Sequence, residues 1–414
     1  MKKCVVIGGG IIGLSTAYYL NKAGHQVVVY DKSSQDKGAS YVNAGYITPS
    51  HFIPLAAPGM VGKGLKYMWN SSSPFYIKPR WDKDLISWAW NFYKASNRGH
   101  VDKSVGPLFE MNLLSRDLYR EMITEMQIKT QYDTKGLMMY VQTEQGKKHE
   151  MEVARRAKSE FDIDTKFYSS EEIQEQFEPD IKLDIIGGIH YPSDRQMTPV
   201  DFMQQLRSYL IKQGVDIHRG VGVRDIVVER GKIQKIYTDT EEVQGDHFVL
   251  AAGCWTKTLA QKLGVDLKIE AGKGYKIDVA QKTGIRMSAI LVERSMAVSP
   301  MDGYTRFAGT MELSGINHKL RLERIRALKS GAESFYKDLS ISEKALSEAQ
   351  CGLRPVSADG LPYVGKSKCC KNAYIASGHA MMGWSLGPAT GKLIQELIDE
   401  EKTSMALDAF RLSR

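Results

Sequence analysis

The first 31 residues constrain the fold of this chain more than any other stretch. Cys4-Val5-Val6-Ile7 is an apolar run that ends in glycines, and Gly8, Gly10 and Gly13 form G-x-G-x-x-G. Ile11 to Ala23 reads as a helix stopped by Gly24, and Val27-Val28-Val29-Tyr30 as a second buried strand ending on Asp31. A glycine motif set between a strand and a helix, with an acid closing the next strand, is the context of dinucleotide binding. Gly8 permits the tight turn, Gly10 lets backbone approach a pyrophosphate, and Gly13 lets the helix pack closely on the strand. The helix N-terminus offers free N–H groups and partial positive charge to the phosphates. Asp31 stands 18 positions after Gly13, where a carboxylate accepts ribose hydroxyls. A buried strand and a tight turn with no ligand would explain the glycines alone; it does not explain the whole unit.

At 414 residues, 43% hydrophobic and 25% charged, the chain suits two domains, each with a core. No apolar stretch reaches the length of a membrane-spanning helix. Lys2-Lys3 before an apolar segment mimics a secretory signal, but Gly8–Gly10 break that segment and it runs on into a strand. The five cysteines, Cys4, Cys254, Cys351, Cys369 and Cys370, have no metal-ligand spacing, and their odd number fits a reduced, cytoplasmic setting. The net charge of +8 comes from scattered lysines without a compact basic block, so a solvated surface is expected rather than a nucleic-acid partner.

After Asp31, Gly38-Ala39-Ser40-Tyr41-Val42-Asn43-Ala44-Gly45 combines small residues with Ser and Asn, a loop that can lie against a flat ligand or simply be polar. His51 to Asn97 is rich in aromatics, Pro and Lys: Lys63, Lys66, Tyr67, Met68, Trp69, Pro74, Phe75, Tyr76, Lys78, Pro79, Arg80, Trp81, Trp88 and Trp90. A helical layer covering an active site is expected there; contact with a membrane surface is the alternative. Helices are expected over Pro107–Gln127 and Glu144–Glu160, and from Thr198, as N-cap, to Gln213. A hairpin is expected around Arg230-Gly231, a strand at His247–Ala252 ending at Gly253, a strand opened by Gly272-Lys273-Gly274-Tyr275, a meander over Ser295–Gly309, and a long helix over Leu320–Leu339. The C-terminal part repeats the strand–glycine loop–helix plan, with Ala373–Ala376, Gly378–Ser385 and a helix from Gly387 to Glu401.

The opening unit, Asn43-Ala44-Gly45, the VLAAG strand end, CGLRPVSADGLPYVG from Cys351 to Gly365, and SGHAMMGW from Ser377 to Trp384 together resemble the D-amino-acid-oxidase superfamily, with the bacterial D-amino-acid dehydrogenases as its nearest branch. The resemblance runs from residue 1 to the last helix, with its specific motifs at the two ends. It implies an α/β fold: a Rossmann-like FAD-binding domain interleaved with an α+β substrate domain carrying a mixed or antiparallel sheet. The corresponding division is 1–55, 195–268 and 346–414 for FAD, and 56–194 and 269–345 for substrate. FAD would be held by Gly8, Gly10, Ile12, Gly13, Asp31 and Lys32; by Ser40, Asn43, Ala44 and Gly45; by Val223, Ala252, Gly253 and Trp255; and by Gly378, Met382, Gly383 and Trp384. Arg354 would bind the substrate carboxylate, as a planar guanidinium matches a carboxylate bidentately. A structural ion pair is its alternative role. His379 would lie near the flavin or satisfy a turn. Tyr275 and Glu312 would line the pocket or fill core and strand-edge positions.

Met381 stands where glycine-oxidase-type members carry a second arginine; with Met382 and Met311 it suggests an apolar, adaptable pocket. Cys351 is one position out of register with the cysteine that bonds flavin in some relatives, so non-covalent FAD is implied. The implied reaction is oxidative deamination of a D-amino acid, by hydride transfer from Cα to flavin N5, with electrons passed to a quinone or other acceptor. The amine proton would leave to solvent or to a pocket acceptor. Related alternatives are a D-proline or hydroxy-D-proline dehydrogenase acting on a cyclic D-imino acid, a glycine- or sarcosine-oxidase-like enzyme, and a 2-hydroxy-acid or glycerol-phosphate flavoenzyme. An NAD-dependent dehydrogenase and an RNA-modifying flavoenzyme are alternatives of other classes. A cytoplasmic enzyme, in one version peripheral to the inner membrane, is expected.

Overall fold

The computed structural model describes residues 1–60, 62 and 75–414; Lys63, Lys66, Tyr67, Met68, Trp69 and Pro74 of the aromatic segment lie outside them. A six-stranded sheet runs in the order Asp216–Arg219, Gln26–Asp31, Lys3–Ile7, His247–Leu250, Ala373–Ser377, Tyr363–Lys366. All neighbours are parallel except the last pair. Its strands are continuous apolar runs because both faces are covered. Val6, Val29, Val249 and Tyr374 face helices Ile11–Lys22, Pro199–Lys212 and Gly387–Asp399. Val5, Val28, Phe248 and Ile375 face the opposite layer, which contains the hairpin Val223–Glu229 and Lys232–Thr238. The hairpin turn places Arg230 and Gly231 at φ +50° and +69°, the pair of left-handed residues that matches strand twist.

The second sheet has nine strands in the order Gln350–Ser357, Ile269–Val279, Tyr304–Leu313, Met296–Met301, Ala289–Leu291, Leu137–Val141, Gly187–Tyr191, Lys166–Ser169, with Phe75–Ile77 paired to Tyr304–Leu313. It is mostly antiparallel, with two parallel pairings. Tyr275, Ile277, Val298 and Phe307 bury one face under Ile325, Leu328 and Ala332 of helix Leu322–Glu333. That helix is shorter than expected. Beyond Glu333 the backbone pairs with 182–184 instead: Asp184 N–H donates to Phe335 O and Lys337 N–H to Lys182 O, at 2.8 and 3.0 Å.

Two elements lie across the division drawn from sequence. Helix Arg98–Met126 continues through Pro107 and sends Leu108, Met111, Leu118 and Tyr119 into the core of the parallel sheet. Strand Gln350–Ser357 is an edge of the nine-stranded sheet, paired with Ile269–Val279. Helix Lys83–Ala95 buries Leu85, Trp88 and Phe92 against Met311, Leu313 and Val356, and Trp88 Nε1 donates to Val356 O at 2.9 Å. Its other side exposes Ile86, Trp90 and Tyr93, with Trp81 just before it. Among the described residues no helix is long and apolar enough to cross a membrane.

Candidate active site

The strand ends of the parallel sheet form a rim. Gly8 adopts φ +118°, and a Cβ there would stand 2.3 Å from Ala251 O; one on Gly13 would stand 1.8 Å from Gly8 O. Neither position accepts a side chain, so strand, turn and helix sit at backbone contact. Helix Ile11–Lys22 has no side-chain cap from Gly10 and no acid in its first turn. Ser40 Oγ accepts the Ile11 N–H at 2.9 Å, which leaves the other first-turn donors to an anion. Asp31 holds its rim through Gly9 N–H to Oδ2 at 3.0 Å and Ser33 N–H to Oδ1 at 2.9 Å; each oxygen keeps a lone pair for a hydroxyl. Val221 N–H donates to Asp31 O at 3.0 Å, which carries the start of the Val223 strand past Lys32. Lys32 Nζ lies 3.1 Å from the centre of the Trp255 ring, and Trp255 stacks on His318. Ser377 Oγ donates to Gly253 O at 2.9 Å, tying the Ala252–Gly253 strand end to the one that precedes Gly378.

Loop 38–45 crosses from this rim to the nine-stranded sheet. The Asn43 side chain is spent on the loop itself: Nδ2 donates to Ser40 O at 2.8 Å, and Oδ1 accepts from Gly45 N–H at 2.7 Å. Ser299 Oγ donates to Ala44 O at 2.7 Å. The main fastening is Arg306, 1% exposed. Its Nη1 donates to Tyr41 O and Asn43 O at 2.9 and 2.8 Å, while Nε and Nη2 pair with Asp278 at 2.8 and 3.0 Å. Nothing in the sequence around Arg306 marks it, because the loop carbonyls it grips lie more than 260 residues away in the chain.

Arg354 projects from the same sheet face. Its guanidinium lies on Gly274: a Cβ at Gly274 would stand 2.2 to 2.3 Å from Nη1, Cζ and Nη2. A register shift in the pairing of Ile269–Val279 with Tyr304–Leu313 falls between Lys273 and Tyr275. Opposite it, Thr310 takes φ +64°, and Thr310 O accepts from Arg354 Nη1 at 2.7 Å. Desolvation pushes the Arg354 guanidinium down to about 10, yet the side chain keeps part of its surface. Among the described residues no carboxylate lies within ion-pair distance of it. Among the described residues this half-buried cation is fixed by one carbonyl, and its remaining N–H groups can receive a carboxylate. The G-K-G sequence at Gly272–Gly274 was the available signal for this arrangement.

Five residues weighed for this pocket have other surroundings. Tyr275 and Glu312 lie on the other face of the sheet. Residue 272 pairs with Arg354 and 273 with Glu312, and successive residues alternate faces. There Glu312 accepts from Tyr275 OH at 2.7 Å and Lys273 Nζ at 3.2 Å, with Arg324 Nε at 3.6 Å. Burial opposes its ionisation, but bonds from Ser314 and Tyr275 and the Lys273 charge hold it below the usual glutamate range. The Trp384 ring packs in the core beside Tyr119 and Phe202, and Tyr119 OH donates to its carbonyl at 2.6 Å. His379 is buried and bonded to Thr390 Oγ1 at 2.9 Å; burial pushes it down to about 3. Because Thr390 Oγ1 donates to Leu386 O, it accepts from His379, which ties the imidazole to the last helix. Met381 is 56% exposed. Gly378, at φ +83°, and Gly383 carry the backbone of the second glycine loop.

These features fit a dinucleotide cofactor: a bare glycine turn, an uncapped helix start and an acid at the next strand end. The family model described as DAO, FAD dependent oxidoreductase, matches residues 3–397, and the chain belongs to that family. It is 28% identical to the D-amino acid dehydrogenase of Neisseria meningitidis serogroup C over 423 residues, covering 100% of this chain and 99% of the relative. It is 28% identical to that of Vibrio vulnificus over 416 residues, covering 99% of each. The fold matches the crystal structure of glycine oxidase from Geobacillus kaustophilus with a TM-score of 0.79 at 20% identity, covering 100% of this chain and 99% of that one.

Proposed function

We propose that this FAD-dependent oxidoreductase deaminates D-amino acids oxidatively to 2-oxo acids and ammonia. The observation that carries the proposal is Arg354, a desolvated guanidinium with an open edge and no carboxylate partner among the described residues. Full-length similarity to D-amino acid dehydrogenases supports the D configuration. FAD, when bound, supplies the hydride acceptor; the first and second glycine loops, Asp31 and loop 38–45 would hold it. Arg354 clamps the substrate carboxylate, Thr310 O sets the guanidinium plane, and Gly274 lets the cation lie flat on the strand. The clamp thereby orients Cα, which is worth orders of magnitude in rate when the geometry is a near-attack one. The cofactor is held without a covalent bond: Cys351 is buried, its Sγ directed to His318 O at 3.7 Å, on the sheet face away from Arg354. Electrons pass on to a quinone or similar carrier. Exposed Trp81, Trp90 and Tyr93 support contact with a membrane surface. Anaerobic mixing of the FAD-loaded enzyme with a panel of D- and L-amino acids tests the substrate assignment. Bleaching of the flavin absorbance by D-amino acids is expected; bleaching by L-amino acids alone, or by glycine alone, overturns it.

A further inference from the structure

An α-amino acid reaches its oxidant as an ammonium, which must lose a proton before Cα can give up a hydride. Of the groups described so far, Glu312 and Tyr275 face away, and His379 gives its Nε2 proton to Thr390 while burial pushes the ring down to about 3. A hydrogen-bonded chain of three residues, two of them in loop 46–57, does have the chemistry. Asp194 is 0% exposed. Its Oδ1 accepts from Ser50 N–H at 3.1 Å, and its Oδ2 from Ser50 Oγ at 2.5 Å. Ser50 Oγ lies 3.0 Å from His51 Nδ1. With Asp194 ionised, the Ser50 hydroxyl gives its one proton to the carboxylate, so toward His51 it accepts. That fixes Nδ1 as the protonated ring nitrogen and leaves Nε2 a bare base. Among the described residues nothing hydrogen-bonds to Nε2.

The loop that carries His51 is pinned beside the site at both ends. Thr48 N–H donates to Ser385 Oγ at 3.0 Å, one residue after the second glycine loop. Ala56 packs in one cluster with Ala380, Met311 and Val356, the last two residues beyond Arg354. Burial alone shifts His51, down to about 4, so the ring is neutral at neutral pH. Burial raises Asp194 to about 7, against hydrogen bonds from Ser50 and Ser193 and the Arg195 charge. The charged and titratable groups facing Asp194 are Arg195 and Tyr191; none of the described residues sets a charge against the His51 ring.

We propose that His51 Nε2 takes the proton of the substrate ammonium, and that Ser50 and Asp194 relay it inward. One N–H bond of the substrate breaks and an Nε2–H bond forms. The Nδ1 proton moves to Ser50 Oγ, whose own proton moves to Asp194 Oδ2, turning the carboxylate into a neutral acid. The freed amine lone pair then forms the C=N bond as hydride leaves Cα for the cofactor. The inference rests on the proposed amine oxidation, and it names the base of that same site. His51 is a catalytic residue in this scheme; Ser50 and Asp194 are positioning residues.

The test is the anaerobic rate of flavin bleaching against pH in the FAD-loaded wild type, His51→Gln, Ser50→Ala and Asp194→Asn. In His51→Gln the rate at pH 7 should fall about 100-fold, the usual reach of one general base. It should recover toward wild type near pH 10, where the substrate amine is already free. Ser50→Ala and Asp194→Asn should show the same rise with pH at a smaller loss. Bound FAD and binding of a simple carboxylate that carries no amine should be unchanged in all three, which separates lost chemistry from misfolding. A wild-type pH profile in His51→Gln, or a loss that stays constant with pH, overturns the relay for whichever amine is oxidised. Failure of every D-amino acid to bleach the wild type overturns the substrate assignment instead.

Discussion

The two faces of the nine-stranded sheet carry buried charge in opposite ways. On one face Lys273, Glu312, Tyr275 and Arg324 stand within a few ångströms of one another, and Lys273 also donates to Asn317 Oδ1 at 2.6 Å and Lys319 O at 3.0 Å. Opposite charges there answer each other in the dry interior. On the other face Arg354 is half-buried and, among the described residues, meets one carbonyl and a strip of bare glycine backbone. Burying a charge without a counter-charge costs stability, and a chain keeps such an arrangement where a ligand completes it. The difference separates charge that holds the sheet together from charge that, in the proposed function, receives the substrate.

Arg354→Ala should test this contrast with the largest effect. Steady-state kinetics should show kcat/KM falling by about three orders of magnitude, the scale of losing a buried charge partner (~4 kcal/mol), while the melting temperature holds or rises. A melting temperature that falls with unchanged kinetics would make Arg354 a structural residue and erase the contrast. Glu312→Gln should do the reverse. It strands Lys273 on the other face and should cost about 3 kcal/mol in denaturant unfolding, with KM close to wild type. A large KM effect and full stability would return Glu312 to the pocket. Gly274→Ala sharpens the comparison, since its methyl would occupy the place of the guanidinium. KM should rise about tenfold with bound FAD unchanged; an unaltered KM would mean that Arg354 can rotate and still bind.

The nucleotide cradle was legible because its signals are local. Glycines, a helix start and an acid follow one another within 31 residues, and each position answers to a backbone requirement that only a few residue types meet. The parallel strands, the Arg230-Gly231 hairpin and the last helix were legible for the same reason. The pocket was less so. Tyr275 sits one residue from Gly274, and Glu312 one from Met311, so a single step in register decides which face each side chain joins. That register includes an irregularity at Thr310 with no marker in the sequence. Thr198 is the N-cap residue expected, with Pro199 opening the helix, but its hydroxyl accepts from Asp302 N–H and donates to Gln131 rather than capping the first turn. The nine-stranded sheet draws strands from residues 75 to 357, and pairings over such separations leave no periodic trace.

Arg306 joins two tasks that the chain assigns to distant segments. It stands on the strand whose Thr310 carbonyl accepts from Arg354, and it grips the loop that reaches back to the first glycine turn. The offset between clamp and cradle is therefore built into one rigid ladder rather than left to a hinge. Were that ladder to slide, both would travel with it, and the spacing between what is bound and what accepts its electrons would be preserved.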